Sequence, residues 1–397
     1  MNTELPSVPQ GPCTLGIEEE FQIVDPRSRE LRPKADPIWK RCREHLHNSQ
    51  EIQKEFHLSQ IESASTVCGS MDEVRKELIR LRSELLRSAD SEANWIIAAG
   101  THPFSHWANQ PLTPNSRYHD LAYEFQQLAW EQVIFGCHVH VGLEDADLGL
   151  EVMNRCRAYL PIFLALSANS PFWLGEDTGY ASYRMELWTR WPLAGPPMHF
   201  QNKAEYDECV QGLIAGGMLE DASKIYWDIR LPTRFPTIEF RITDVCTSID
   251  NAVMLAGLIR GVSQQAYFEA KEGVPYKPVR HELLRAAIWQ AARFGIEGEL
   301  IDLEGEGRKP AYQLIERALE YARPVLEAFG DWEEISQLVG KTLVEGNGAI
   351  RQRKVFQKRG EMLDVVDFLA EETARETEFL LNVSEVTGES SSAQAMK

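Results

Sequence analysis

Four short segments carry residues whose types and spacing could hold a divalent cation and neutralise phosphate. In Gly16-Ile17-Glu18-Glu19-Glu20-Phe21, a strand turns Glu18 and Glu20 to one face and Glu19 to the other, because side chains alternate along a strand. Two carboxylates on one face repel each other unless a cation sits between them; the plainer alternative is a solvated edge strand. In Gly136-Cys137-His138-Val139-His140-Val141, the two imidazoles likewise share a face, a common way to present His to a metal or an anion. Here the alternative is one buried, hydrogen-bonded His and one exposed. In Ile238-Glu239-Phe240-Arg241-Ile242-Thr243-Asp244, the apolar residues alternate inward and leave Glu239, Arg241 and Thr243 on the opposite face. An antiparallel strand with a wet face and a cross-strand ion pair also explains this segment. Glu55 precedes Glu62 by an odd number of positions, so both reach one site only if a bend, bulge or turn intervenes.

Other charged groups stand among aromatics: Arg117-Tyr118, Tyr183-Arg184, Asp228 and Arg230 in YWDIRL, and Arg351 with Arg353 in GAIRQR. Loop cations usually face solvent, and the sequence assigns no role to Arg351 or Arg353. The chain holds no GxxxxGK[ST], no strand-bound GxGxxG, no GxSxG and no HExxH. Any nucleotide is therefore bound without a P-loop or a Rossmann fingerprint.

The elements that must position these groups are strands about 13–25, 95–100 and 133–143, with further strand-like runs YWDIRL and TIEFRITDV. A helix over 70–90 carries Met71, Val74, Leu78, Leu81 and Leu85 at helical spacing behind a Ser70–Glu73 capping box. Further helices are expected at 117–130, at 147–168 with an interruption near Pro161, and at 251–272, 281–294, 310–328, 332–345 and 360–382. Strands mixed with helices, then a helical C-terminal third, read as α+β.

The chain has 397 residues, 43% hydrophobic and 25% charged, which suits a globular protein with a sizeable core. A net charge of −19 argues against nucleic-acid or anionic-membrane partners. Seven Cys and no CxxC argue against a disulfide framework and fit a reducing cytoplasm. No signal peptide and no membrane span are expected.

In their order along the chain, GIEEEF (16–21), ExxxxQxE (55–62), AGTHPF (99–104), GCHVHVG (136–142), NSPFWLG (169–175), SYRMELW (182–188) and IEFRITD (238–244) resemble the carboxylate–amine ligase family, also called glutamate–cysteine ligase type 2. The resemblance runs from about residue 13 to about residue 380. It implies a glutamine-synthetase-like fold, in which an antiparallel sheet curls into a funnel with helices packed outside. It implies one catalytic domain over 13–384, between a disordered N-terminus (1–12) and a disordered tail (385–397). The implied reaction uses ATP to phosphorylate a carboxylate, whose acyl phosphate an amine then attacks to give an amide. Glutamate plus cysteine is the default pair, the substrates being amino acids, and a homodimer is plausible.

By this resemblance Glu18, Glu20, Glu55, Glu62, His138 and Glu239 hold Mg²⁺, or Mn²⁺ given the His, while Glu239 and Arg241 serve phosphoryl transfer. Tyr183, Arg184, Asp228, Arg230 and His140 become substrate contacts. Two other readings compete with the ligase. A metal-dependent amidohydrolase would use the same Glu/His cluster to activate water and need no nucleotide. A binding protein with a decayed site would lack part of the acidic set, which is complete here.

Overall fold

The computed structural model describes residues 13–46, 50–143, 145–233, 235–379 and 381. The expectations for 1–12 and 385–397 fall outside these residues. The centre of the fold is a seven-stranded sheet with antiparallel pairing throughout. Its strands are β1 (Leu15–Val24), β2 (Ile52–Lys54), β3 (Gln60–Ala64), β4 (Trp95–Ile97), β5 (Gly136–Gly142), β6 (Ile229–Arg230) and β7 (Thr237–Asp244). The order is β2-β3-β1-β5-β7-β6, and β4 continues along the β5 edge of β1.

Strand β1 shows the alternation the sequence predicts. Leu15, Ile17 and Glu19 are buried on one face, while Gly16, Glu18 and Glu20 are partly open on the other. The buried face receives helices. Met71–Ser91 starts at Ser70, whose hydroxyl accepts from Glu73 N–H. Ile249–Lys271 is apolar nearly all round and buried along most of its length, as a helix at the centre of a core must be. Around it pack Ala311–Phe329 and Trp332–Glu345, with Gly257 and Gly261 admitting Ile335 and Ala322 at close range.

Several elements depart from the sequence reading. The expected 117–130 helix breaks into Ser116–Phe125 and Gln127–Trp130 at Gln126, where φ is 49°. The last helix runs only Met362–Ala374, because Arg375 turns extended. In YWDIRL only Ile229–Arg230 pairs with the sheet. The interruption near Pro161 is present: Gly149–Cys156 passes through a 3-10 turn into Leu160–Ser167. Helices Ala35–His45, Lys203–Ala215 and Gly348–Arg359 were not foreseen.

Candidate active site

The inner face of β1, β5 and β7 collects the chemistry. Glu18 stands opposite His138 across the β1–β5 pair, and Gly16 stands opposite His140. His138 Nδ1 hydrogen-bonds Glu18 Oε2 at 3.0 Å, and His140 Nε2 lies 3.3 Å from Glu18 Oε1. Burial alone would raise the Glu18 carboxyl, but hydrogen bonds and charge from both imidazoles hold it well below the usual range. Burial pushes His138 down to about 4, helped by the Arg241 charge. Burial also disfavours charge on His140, yet Glu18 and Glu239 outweigh it and raise that imidazole.

A second acidic group faces the same space from the other edge of β1. Glu20 is the direct cross-strand partner of Glu62, and Gly136 N–H donates to Glu20 Oε2 at 2.5 Å. Glu55 lies in the turn joining β2 to β3, which supplies the reversal its odd spacing from Glu62 requires. That turn is pinned on both sides. Thr113 hydroxyl donates to Glu55 O, Thr113 N–H to Phe56 O, and Gln60 Oε1 accepts from His57 N–H. Burial raises all three carboxyls, Glu20 to about 7 and Glu62 well above its ordinary value; the Glu55 charge adds to the rise of Glu20 and Glu62, while Glu55 itself is pushed up further by Glu18 and drawn back by its hydrogen bond with Glu62.

The cationic wall comes from β6, β7 and the short helix Tyr183–Trp188. Arg230 clamps Glu239 with Nε at 2.6 Å from Oε2 and Nη2 at 3.1 Å from Oε1. This is the cross-strand ion pair expected of that strand, since the two residues are in register. Arg241 Nη1 donates to the same carboxylate. Against the upward push of burial, Arg241, His140 and Arg230 hold Glu239 down at about 2. Arg184 is 2% exposed, and its Nε and Nη1 have no partner. Gly136 makes room for it: a Cβ there would lie 2.3 Å from Arg184 Nη2.

One oxygen or nitrogen each from Glu18, His138 and Glu239 lie within 4.8 Å of one another. Beside them stand the three crowded carboxyls of Glu20, Glu55 and Glu62. Five carboxylates converging with an imidazole, three of them pushed up by burial and Glu18 and Glu239 held ionised by their imidazole and guanidinium neighbours, fit a divalent cation. Two cavities adjoin this cluster, His138 lining one and Glu18 the other. One, about 130 Å³, is bounded by Glu20, Glu55, His138, Arg184, Trp188 and Arg241. The other, about 450 Å³, opens between Glu18, His140, Val67, Leu143 and Phe235 and is mostly apolar.

Three expected substrate contacts line neither cavity: Arg230, which is taken up by Glu239, Asp228 and Tyr183. Asp228 is fully buried behind Trp188, whose indole N–H donates to its Oδ1 at 3.2 Å, and burial raises it to about 7. Tyr183 packs toward Trp173 and Tyr180 instead. Arg351 and Arg353 are also structural. Arg351 pairs with buried Glu372, and Arg353 forks onto Asp177 at 2.8 and 2.6 Å.

Sequence reasoning passed over three supports. Arg82, 1% exposed, forks onto buried Glu19 on the outer face of β1 and also donates to Cys246 O and Thr247 O. Its signal was a charge inside the apolar stripe, four after Leu78 and three before Leu85. Asp244 accepts from Ser170, Ser182 and Asn169 N–H, each at 2.7 or 2.8 Å. Ser182 is also the N-cap of the helix bearing Arg184, so Asp244 sets that helix against the sheet. The third is a bulge in β7 opposite His138: Cys137 pairs with Thr243 but Val139 with Phe240. Thr243 thereby shifts to the face of Cys137, whose carbonyl its hydroxyl meets, instead of the site face expected from simple alternation.

No helix among the described residues is long and apolar enough to cross a membrane, and the seven Cys are free thiols. The family described as glutamate–cysteine ligase family 2 matches residues 14–372. A "Putative glutamate--cysteine ligase 2" of Rhodopirellula baltica is 45% identical over 91% of this chain and 96% of its own length. A relative of the same description from Roseiflexus sp. is 38% identical over 94% and 98%. Among solved structures, the glutamate–cysteine ligase of Francisella tularensis in complex with AMP has a TM-score of 0.71 at 14% identity, covering 95% of this chain and 91% of its own. A bifunctional glutathione synthetase from Pasteurella multocida has a TM-score of 0.67 at 18% identity, covering 91% and 52%. Those two likenesses support the α+β, glutamine-synthetase-like funnel. With the sequence match over nearly its whole length, the chain belongs to glutamate–cysteine ligase family 2 and hence to the ATP-dependent ligases.

Proposed function

We propose that the protein joins an amino-acid carboxylate, glutamate, to an amine through an acyl phosphate, with residues 13–384 acting as one catalytic unit. Cysteine ligation is then a weak activity. The observation that carries this is the convergence of Glu18, His138 and Glu239 within 4.8 Å, beside Arg241. The names of the relatives support the substrate pair, and the AMP-bound Francisella relative supports a nucleotide.

Mg²⁺ or Mn²⁺ held by Glu18, His138, Glu239 and the Glu20–Glu55–Glu62 group would neutralise phosphate charge. Arg241, fixed on Glu239, offers its remaining N–H groups to the phosphoryl in transfer, where a preorganised donor is worth most. Arg184, buried with two nitrogens unsatisfied, is suited to a substrate carboxylate, which an Arg fork binds bidentately. The larger apolar cavity beside Glu18 and His140 can house a nucleoside.

The test is phosphate release from ATP with Mg²⁺ and pairs of amino acids, with the product identified by mass. Hydroxylamine trapping reports the acyl phosphate. EDTA is expected to abolish turnover and Mg²⁺ or Mn²⁺ to restore it. Full activity in metal-free buffer would sink the metal assignment.

Glu20→Gln is expected to lose at least about 10²-fold in turnover, on the scale of other lost electrostatic groups at a reacting centre, while keeping the fold. Gln can still accept from Gly136 N–H. The pH dependence has a definite sign. An acid whose pKa is raised on folding binds more protons when folded, so its contribution falls as pH rises. For Glu20 that fall spans from about 4.5 to about 7. In EDTA, the melting temperature of Glu20→Gln relative to wild type should therefore climb across this window and stay high above it. A variant that melts well below wild type at pH 8 would make Glu20 a structural residue.

A further inference from the structure

The inner face of the sheet changes character from its centre outward. On β1 the residues turned to it run Glu20, Glu18, Gly16, and on β5 they run His138, His140, Gly142. Charged donors give way to bare backbone, and the cavity of about 450 Å³ lies over Gly16 and Gly142. Its rim is built from loops. Val67 follows β3 and precedes Cys68, which pairs with Leu15 on the edge of β1 away from β5. Phe235 precedes β7, and its neighbour Pro236 accepts through its carbonyl from Leu143 N–H, just past the end of β5. The two rim residues therefore flank a glycine floor from opposite sides. Val67 is 76% exposed and Phe235 63%. A single exposed apolar side chain needs no explanation, but these two border one cavity whose inner end is Glu18 and His140. Three polar side chains on the same wall are engaged elsewhere: Glu51 meets Arg80, Ser65 Oγ accepts from Ile17 N–H, and the Thr66 hydroxyl donates to Glu77.

We propose that Phe235 and Val67 clamp the base of the nucleotide, Phe235 stacking on one face and Val67 packing on the other, so that this pair sets nucleotide affinity. This rests on the ligase reading above. The direction of the nucleotide follows from the gradient along the face. Its phosphates go to the charged end, at Glu18 and the cation cluster, and its base goes to the apolar rim. The glycine floor lets a flat ring approach the sheet, since no side chain stands in its way there. Every base offers a π-face to an aromatic partner, and loss of such a partner is felt in affinity whatever hydrogen bonds the base makes. Burial of the two rim side chains against the base also removes apolar surface from water. Phe235 and Val67 are positioning residues: they touch the end of the nucleotide remote from the transferred phosphoryl.

The experiment measures binding of ATP and of tripolyphosphate, each with Mg²⁺, by calorimetry on the full chain. Tripolyphosphate carries the phosphates without a base. Phe235→Ala is expected to weaken ATP by about tenfold, the scale of losing an aromatic partner of a base, and to leave tripolyphosphate within about twofold. Phe235→Trp, which keeps a stacking ring, should restore ATP affinity. Val67→Ser should weaken ATP by a smaller factor than Phe235→Ala. In turnover, Phe235→Ala should raise KM for ATP more than it lowers kcat, because the lost contact is made equally in the ground and transition states. Phe235 is exposed, so its removal should leave the melting temperature nearly unchanged. ATP affinity of wild-type strength in Phe235→Ala overturns the proposal. So does an equal loss of ATP and tripolyphosphate, which would place the effect at the phosphates, and so does a failure of Phe235→Trp to restore binding. Where tripolyphosphate binds too weakly to measure, the split between KM and kcat decides. A wild-type chain that binds no ATP would defeat the ligase reading itself, whereas wild-type ATP binding that Phe235→Ala leaves intact defeats only this proposal.

Discussion

Arg241→Lys lowers turnover by about 10²-fold or more, with a smaller change in ATP affinity. The size follows from losing a preorganised donor at the charge that develops in the transition state. Lysine keeps one positive charge but not the planar fork. In the wild type one arm of that fork grips Glu239, while Nε is buried without a partner. A lysine ammonium can satisfy Glu239 or reach toward the phosphoryl, but it cannot do both with the same geometry. Hydroxylamine trapping measures the loss of acyl-phosphate formation, and calorimetry with ATP and Mg²⁺ measures the affinity. Wild-type trapping in Arg241→Lys would remove Arg241 from phosphoryl transfer. Glu239→Gln should instead weaken nucleotide binding and turnover together, because it disturbs a carboxylate proposed to hold the metal and the anchor of two arginines at once.

Arg82→Met destabilises the fold by about 3–5 kcal/mol, the usual cost of leaving one partner of a buried ion pair alone. Glu19 and Arg82 are both essentially inaccessible, and Arg82 also satisfies two carbonyls at the end of β7. Urea denaturation measures the loss. The double variant Glu19→Leu, Arg82→Met should recover most of it, since paired apolar replacements of a buried ion pair are often neutral or better. A single-variant cost below about 1 kcal/mol would show that water reaches Glu19. Because Glu19 sits between Glu18 and Glu20, Arg82→Met should also weaken Mg²⁺ binding even where the chain remains folded.

The legible parts of the site were those governed by alternation. The placement of Glu18 and Glu20 opposite to Glu19, the shared face of His138 and His140, and the shared face of Glu239 and Arg241 follow from the period of a strand. So does the need for a turn between Glu55 and Glu62. Alternation failed at Thr243, because a bulge is set by how two strands meet and leaves no mark in one of them. Asp228 and Tyr183 were misplaced for a similar reason. Their neighbours Arg230 and Arg184 do reach the site, but the segments around them are loops and a six-residue helix, without a fixed period to extrapolate. Arg82 was legible in principle, as a charge on an apolar helix stripe, but only its partner on another element gives it meaning.

The pairing of β1 with β5, and of β5 with β7, bears on how the chain reaches its native state. Glu18 meets His138 across 120 residues, and β7 ends only at Asp244. No fragment shorter than this can close the sheet, so the Glu18–His138–Glu239 cluster forms only after more than half of the chain is available. Such distant pairings are slow, since chain closure must precede any gain from contact. Until β5 arrives, the stretch Leu15–Glu19 of the β1 edge that β5 later takes has open hydrogen-bonding groups, a template for association with other chains. The three adjacent glutamates also have a protective side during that interval. Uncompensated negative charge along an open strand edge resists pairing with a second copy of the same strand, so the run Glu18–Glu20 keeps nascent chains apart before the sheet closes.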